Sequence, residues 1–307
     1  EYFRNLKKTV QNTEQYVNTW DGELYLEYHR GTYTSHAYNK RMNRKMELLY
    51  RRAEWMAVMK GVLTGSLQNA RQEDLTKGWK HILTNQFHDI IPGSSIHEVY
   101  EDSKKDYEEI ERIGLEVEND FLNYATDKEG HKYSVINSSA WTMSGMVKIP
   151  NTADGIYKDE YGNLLETQQE QDASYVFLSK VPSMGAATIV FEPGKKNTPN
   201  SSFKIDERNM ETPFYYISLN DFGQIERLYD KTFGREVLPA GERANVLQMF
   251  EDKPLGNDAW DIDIFYQQKM REIKDLVDFK VLECGSLRMV VHMEWKYMNS
   301  YVSQNMI

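Results

Sequence analysis

Apolar positions recur at helical spacing over roughly the first 125 residues and at strand-like spacing beyond them. From about His36 to Leu63, Met42, Met46, Leu49, Ala53 and Met56 fall at 4-3-4-3 intervals, which predicts one long amphipathic helix with a buried stripe. Its other side carries Lys40, Arg44, Glu47, Arg51, Arg52 and Glu54, a solvated face. Gly65-Ser66 ends it. A second helix is predicted from about Arg71, with Leu75, Trp79, Ile82 and Gln86 on one face, running until Pro92-Gly93 stops it. A third starts near Ser95 and reaches about Ala125, on Ile96, Tyr100, Ser103, Tyr107, Ile110, Gly114, Val117, Phe121 and Tyr124. Ser94 or Ser95 can cap it, with Glu98 three residues after Ser95 as in a capping box. Residues 1 to about 35 read as irregular, with one short apolar run at Leu24-Tyr25-Leu26. Three helices joined by short turns make an up-down-up bundle.

The composition changes at Thr126-Asp127-Lys128-Glu129-Gly130. Short apolar or alternating runs follow, including Tyr133–Ile136, Met146–Ile149, Tyr175–Leu178 and Thr188–Phe191. Phe214–Leu219 and Gln224–Tyr229 flank Asn220-Asp221-Phe222-Gly223, a hairpin loop. In the clearest strand, Leu287, Met289, Val291, Met293, Trp295 and Tyr297 share a face. Lys195–Asn200 reads as an exposed loop. The fold class is therefore α+β: a helical domain over 1–126, then an antiparallel β-sandwich over 127–307. The chain stops just past its best strand, so the sandwich is expected to be incomplete.

Composition narrows the function. At 40% hydrophobic and 27% charged, with no apolar run near the roughly 18 residues of a membrane span, the chain reads as soluble and not membrane-bound. A net charge of −10 without a basic stripe argues against nucleic acid as a partner. The one cysteine, Cys284, excludes an internal disulfide and a thiolate zinc cluster. Beside Val281, Leu282 and Leu287 it reads as a small buried hydrophobe, and the lack of disulfides favours a reducing, cytoplasmic setting. The Asn137 and Asn200 sequons carry no weight. Glu1-Tyr2-Phe3-Arg4 is neither a Met start nor a signal core, so the chain reads as cut from a longer one.

Two stretches hold candidate chemistry. Glu27–Ser35 is dense in aromatic and hydrogen-bonding side chains, which suits a sugar-facing loop or a loop packed on its own aromatics. His88-Asp89 sits at the forced end of the second helix in an apolar setting, better suited to a fixed ligand than to a solvated surface. By itself the pair also fits an interhelical histidine with its polar needs met. His36, His81, His97, His131 and His292 show no metal spacing and read as surface or packing residues.

Taken together, Glu23–Ser35, Asn39–Glu47, Asn85–Ser95, Leu228–Lys231 with Gly234–Leu238, and Asp258–Asp263 resemble glycoside hydrolase family 38, the zinc-dependent retaining α-mannosidases. The motifs are more similar to the bacterial and cytosolic branch than to the Golgi or lysosomal one. The resemblance implies a catalytic barrel domain, a three-helix middle domain and β-sandwich domains, of which this chain looks like the second and the start of the third. It implies mannose-containing glycans or glycosides as substrates and Zn²⁺ as cofactor, held by a His-x-Asp pair and a further Asp of the catalytic domain. His88 matches the remaining metal ligand, at the end of a middle-domain helix. Imidazole would bind zinc at about 2.0–2.1 Å, and two hydroxyls of the terminal mannose would orient the ring on the metal. Asp89 would accept hydrogen bonds from sugar hydroxyls.

Arg30 and Tyr33 match a segment near the site rim, for contact with sugar or with the chain's own N-terminal catalytic domain, or for a structural role. Asp258, Trp260 and Asp261 either reach the site or pack a domain junction. No His-x-Asp occurs in the 307 residues, so the nucleophile and three ligands lie elsewhere. Nor does anything supply the two carboxylates roughly 5 Å apart that retaining hydrolysis needs. Catalytic residues are therefore none within this chain, which alone should bind zinc poorly and hydrolyse nothing. Two rivals remain: a non-catalytic carbohydrate-binding or interaction module, and another hydrolase family with a helical middle domain.

Overall fold

A computed structural model describes residues 1–22, 27–67, 71–125, 131–194 and 201–307. The Leu24–Leu26 run, the Thr126–Gly130 boundary and the Lys195–Asn200 loop lie outside the described residues. Four α-helices come first: α1 (Tyr2–Asn12), α2 (Ala37–Thr64), α3 (Gln72–Asn85) and α4 (His97–Ala125). The expected irregular start is thus corrected, because Tyr2, Phe3, Leu6 and Val10 share a helical face that the broader reading of residues 1–35 passed over.

The bundle core is the predicted stripe. Met42, Met46, Leu49, Tyr50 and Ala53 of α2 pack with Leu75 and Ile82 of α3 and with Tyr107, Ile110, Ile113 and Val117 of α4. Two polar threads run through it. Tyr50 Oη donates to the Ile110 carbonyl at 2.9 Å, and Asn39 Nδ2 donates to Ser103 Oγ at 2.7 Å, both buried. Tyr50 passes over Gly78, where any β-carbon would fall 1.7 Å from its oxygen. The α2 terminus is as read: Gly65, at φ +73°, and Ser66 return their N–H groups to Val62 and Gly61. The α4 stripe is overdrawn at both ends, since Ile96 and Tyr124 are exposed.

The end of α3 is corrected too. It stops at Asn85, whose amide donates to Asp106 of α4 at 3.0 Å, and a separate turn from Phe87 carries the chain to Gly93. Pro92 has no N–H to return to the carbonyl of residue 88, so the turn cannot continue the helix. Neither serine caps α4 as expected, because the Ser94 and Ser95 hydroxyls donate instead to the Asp89 carbonyl.

Antiparallel sheets follow, as the fold class requires. They begin with β1 (Lys132–Asn137), β2 (Met143–Ile149), β3 (Gly155–Asp159), β4 (Thr167–Gln169), β5 (Ser174–Val181) and β6 (Gly185–Pro193). These form sheets ordered β1-β6-β3 and β2-β5-β4 around Ile149, Tyr157, Val176, Leu178, Ile189 and Phe191. Next come β7 (Lys204–Asp206), β8 (Asn209–Glu211), β9 (Tyr215–Leu219), β10 (Ile225–Asp230), β11 (Arg235–Glu236), β12 (Gln248–Phe250) and β13 (Met270–Glu272). The last strands are β14 (Asp275–Cys284), β15 (Met289–Tyr297) and β16 (Ser300–Met306). Here the sheets are β11-β10-β9-β8-β7, β12-β13 and β14-β15-β16, with Met210, Leu219, Met289, Val291, Met293 and Trp295 in a second, separate core.

The predicted hairpin joins β9 to β10, with Gly223 at φ +75° and Trp295 Nε1 donating to the Phe222 carbonyl at 2.7 Å. Gln168 joins the two β units: its side-chain oxygen accepts the Leu287 and Arg288 N–H groups at 3.0 and 2.9 Å. Cys284 is exposed, which corrects its buried reading. It ends β14, an edge strand whose register shifts between Val281 and Glu283 and whose Val281 and Leu282 are exposed as well. Burial still raises its thiol pKa, with the Glu170 carboxylate adding to the effect. Among the described residues no helix is long and apolar enough to cross a membrane.

Candidate functional site

Three segments distant in sequence meet at one end of the bundle. The first is the pair of single-turn helices Glu27–His29 and Gly31–Tyr33. Gly31 is buried there, and its N–H donates to the Trp260 carbonyl at 2.8 Å. A β-carbon on Gly31 would lie 3.0 Å from the Trp260 carbonyl carbon, so the close approach needs glycine. Ser35 Oγ donates to the Ala259 carbonyl at 3.0 Å, and the His29 ring stands edge-on to Trp260 at 5.0 Å. The second segment is therefore the turn at 257–261, closed by the Trp260 and Asp261 N–H groups on the Asn257 carbonyl at 2.7 and 2.9 Å. Of the two readings of Asp258–Asp263, these contacts favour packing. Trp260 is taken up by His29 and Gly31, and Asp261 Oδ1 accepts its neighbour Ile262 N–H at 2.8 Å.

The third segment is the turn bearing His88. Lys40 Nζ donates to the Ser35 carbonyl and to the Ile91 carbonyl at 2.7 Å, which ties the first and third segments together. Burial lowers the Lys40 pKa. Gly93, at φ +93°, lies against Ser35 so closely that a β-carbon would come 2.7 Å from the Ser35 β-carbon. Tyr100 Oη accepts the Ser95 N–H at 2.9 Å and lies 3.4 Å from the carbonyls of Asp89 and Ile90. Its ring stacks on His36 at 3.8 Å, nearly parallel. Ser94, Ser95, Tyr100 and Lys40 therefore hold the main chain of residues 89–91 from several sides.

The side chains on this held turn face solvent. His88 is 77% exposed and Asp89 47%, with Nε2 and Oδ2 3.5 Å apart. The apolar setting expected for the pair is corrected: α3 ends before it, and Phe87, beside the His88 ring at 4.3 Å, is itself exposed. On the neighbouring turn Arg30 is half-buried and Tyr33 exposed. Among the described residues no group of three or more His, Cys, Asp or Glu side chains could hold a metal ion.

Residues that build this end escaped the sequence reading. Lys40 was read as part of a solvated face and is half-buried, and Tyr100 was read only as stripe. Gly31, Ser35 and Gly93 lay inside the quoted motifs, and only their partners were hidden. Of the other histidines, His81 Nδ1 meets Asp106 at 3.0 Å and His292 Nδ1 meets Asn305 at 2.8 Å, packing and surface roles as read.

Residues 27–123 match the profile of the alpha mannosidase middle domain, and residues 210–307 that of the glycosyl hydrolases family 38 C-terminal domain. The chain belongs to glycosyl hydrolase family 38. The family 38 middle-domain match holds Arg30, Tyr33, His88 and Asp89, and the C-terminal match holds Asp258–Asp261, so the converging segments lie in both. Alpha-mannosidase G of Dictyostelium discoideum is 27% identical over 94% of this chain. Human alpha-mannosidase 2C1 is 26% identical over 88%, and a Saccharomyces cerevisiae alpha-mannosidase 41% identical over 31%. The chain spans about 29% of the length of the Dictyostelium relative and 25% of the human one. Two Enterococcus faecalis crystal structures, of a family 38 protein and of an alpha-mannosidase, share the fold. Their TM-scores are 0.66 and 0.68 over 95 and 96% of this chain, at 17 and 16% identity and 39% of each of those chains.

Proposed function

We propose that this chain is the middle and early C-terminal part of a zinc-dependent, retaining α-mannosidase, in which His88 is a metal ligand and Asp89 a sugar-binding residue. The observation that carries the reading is the held turn. A main chain fixed by Lys40, Ser94, Ser95 and Tyr100 presents an exposed imidazole and carboxylate beside the Gly31–Trp260 contact. The donor set fits one position of a zinc site, a neutral imidazole nitrogen, and the other ligands come from outside the chain. When bound, zinc would act as a Lewis acid and template for the hydroxyls of the terminal mannose.

Within this reading the chain's own residues position the substrate. Asp89 accepts sugar hydroxyls in charge-assisted hydrogen bonds, and fixing its main chain lowers the entropy cost of ordering it. Arg30 and Tyr33 line the rim, towards sugar or towards the N-terminal catalytic domain. That domain supplies the nucleophile, the acid and the other metal ligands, so residues 1–307 alone are inactive. The single cysteine suits a cytoplasmic setting.

The test is zinc content and aryl α-mannoside hydrolysis on residues 1–307 and on the full-length protein. A metal-poor, inactive chain beside an active, zinc-dependent full-length protein is the expected result. Turnover by residues 1–307 alone, or a full-length protein indifferent to zinc, would overturn the reading.

A further inference from the structure

Where Gln168 meets the turn at 284–288, the two β units enclose an open, polar cavity. Its volume is 380 Å³. That is the small end of the roughly 300–1,000 Å³ of ligand sites, which form preferentially at such junctions. The walls are set before any ligand arrives. Gln168, 5% exposed, accepts the Leu287 and Arg288 N–H groups, and its own amide donates to Glu170 Oε1 at 2.6 Å. Ser286 Oγ donates to the Thr167 carbonyl at 3.3 Å, and Ser174 Oγ to the Asn151 carbonyl at 2.8 Å.

One group in this wall is left over. Tyr157 lines the cavity and is 1% exposed. Its hydroxyl sits beside Ser174 and Asn151, yet no hydrogen bond reaches it among the described residues. A buried hydroxyl in that position is costly unless a ligand or a water in the cavity meets it. The rest of the lining selects the ligand. It holds the Asp154 and Glu170 carboxylates with hydroxyls and amides, and no Lys, Arg or His among the described residues. Carboxylates repel anions and accept from hydroxyl donors, and an apolar ligand would leave the polar groups unpaired. We propose that this cavity is a binding site for a neutral, hydroxyl-rich ligand the size of one hexose, with Tyr157 Oη as donor and Glu170 as acceptor. None of these residues belongs to the segments that meet at the His88 turn, so binding here needs neither zinc nor a catalytic domain.

Cys284, the one cysteine in residues 1–307, lines the same cavity and is exposed, so its alkylation by N-ethylmaleimide reports on occupancy. D-Mannose or D-glucose at roughly 100 mM, far above a millimolar Kd, should slow that reaction about fivefold or more. Tyr157→Phe removes only the unpartnered hydroxyl. It should leave the Tm unchanged or higher, while about ten times more sugar is needed for the same protection. Calorimetric titration with D-mannose gives the same comparison without the thiol. Neither protection nor heat with either hexose would overturn the proposal, the cavity then holding water only. So would protection by methylammonium chloride in place of the sugars, or undiminished sugar affinity in Tyr157→Phe. A lower Tm of that variant would also overturn it, by giving the hydroxyl a structural partner.

Discussion

Gly93 lies against Ser35 with no room for a side chain: a β-carbon on it would come 2.7 Å from the serine's own. The two residues belong to separate motifs, and their contact sets the His88 turn on the 27–35 segment. Gly93→Ala adds this clash to the strain of a positive φ of +93°. Gly241, at φ +84° with open space around it, offers a control in which only the backbone strain applies. Gly241→Ala should cost about 1–2 kcal/mol and Gly93→Ala clearly more. Equal losses on denaturant unfolding would mean that Ser35 moves aside freely.

His88→Ala separates a ligand from a structural histidine. The side chain is 77% exposed, so unfolding of residues 1–307 should change by less than about 0.5 kcal/mol. In the full-length protein the same change should lower zinc content and turnover together. Unaltered zinc and turnover would remove His88 from the site.

The bundle stripe was legible because burial on a helix repeats every three to four residues, and Met46, Ala53 and Ile110 are fully buried as read. The candidate site was legible only in part. His88 and Asp89 stood out by their motif, but nothing local marks Lys40, whose role depends on carbonyls at Ser35 and Ile91. The Trp260 contact depends on a partner more than two hundred residues away in sequence. Period-two strand patterns show faces and not partners, which is why the two β cores did not separate at that level. The apolar neighbours of Cys284 suggest burial, but Val281 and Leu282 lie on an edge strand and are themselves exposed.

Gly78 tests how the bundle closes. Gly78→Ala should cost about 2–3 kcal/mol, because its new methyl group displaces the Tyr50 hydroxyl, which loses its hydrogen bond to the Ile110 carbonyl. Tyr50→Leu removes the hydroxyl and the ring atoms that are struck, at 1.7, 2.3 and 2.4 Å, so the double variant should lose less than the sum of the single ones. Strict additivity would show that Tyr50 and Gly78 do not meet.

Glu272 sets a pH dependence. Hydrogen bonds from Arg243, then Lys274 and Gln224, bring its pKa from 4.5 down to about 2. A carboxylate with a depressed pKa in the folded state stabilises above its unfolded value, and that contribution fades as pH falls. The Tm advantage of the wild type over Glu272→Gln should therefore be constant above pH 5 and shrink from about 4.5 towards 2. An advantage that stays unchanged down to pH 2 would rule out this pairing.

The Ser35–Ala259 hydrogen bond closes a loop of 224 residues. A ribosome releases the bundle well before Ala259 is made, and such distant contacts form late because closing long loops costs entropy first. A nascent chain therefore carries its His88 turn before the turn's neighbour exists. The completed rim marks a chain that has been translated through its second β unit and has folded it.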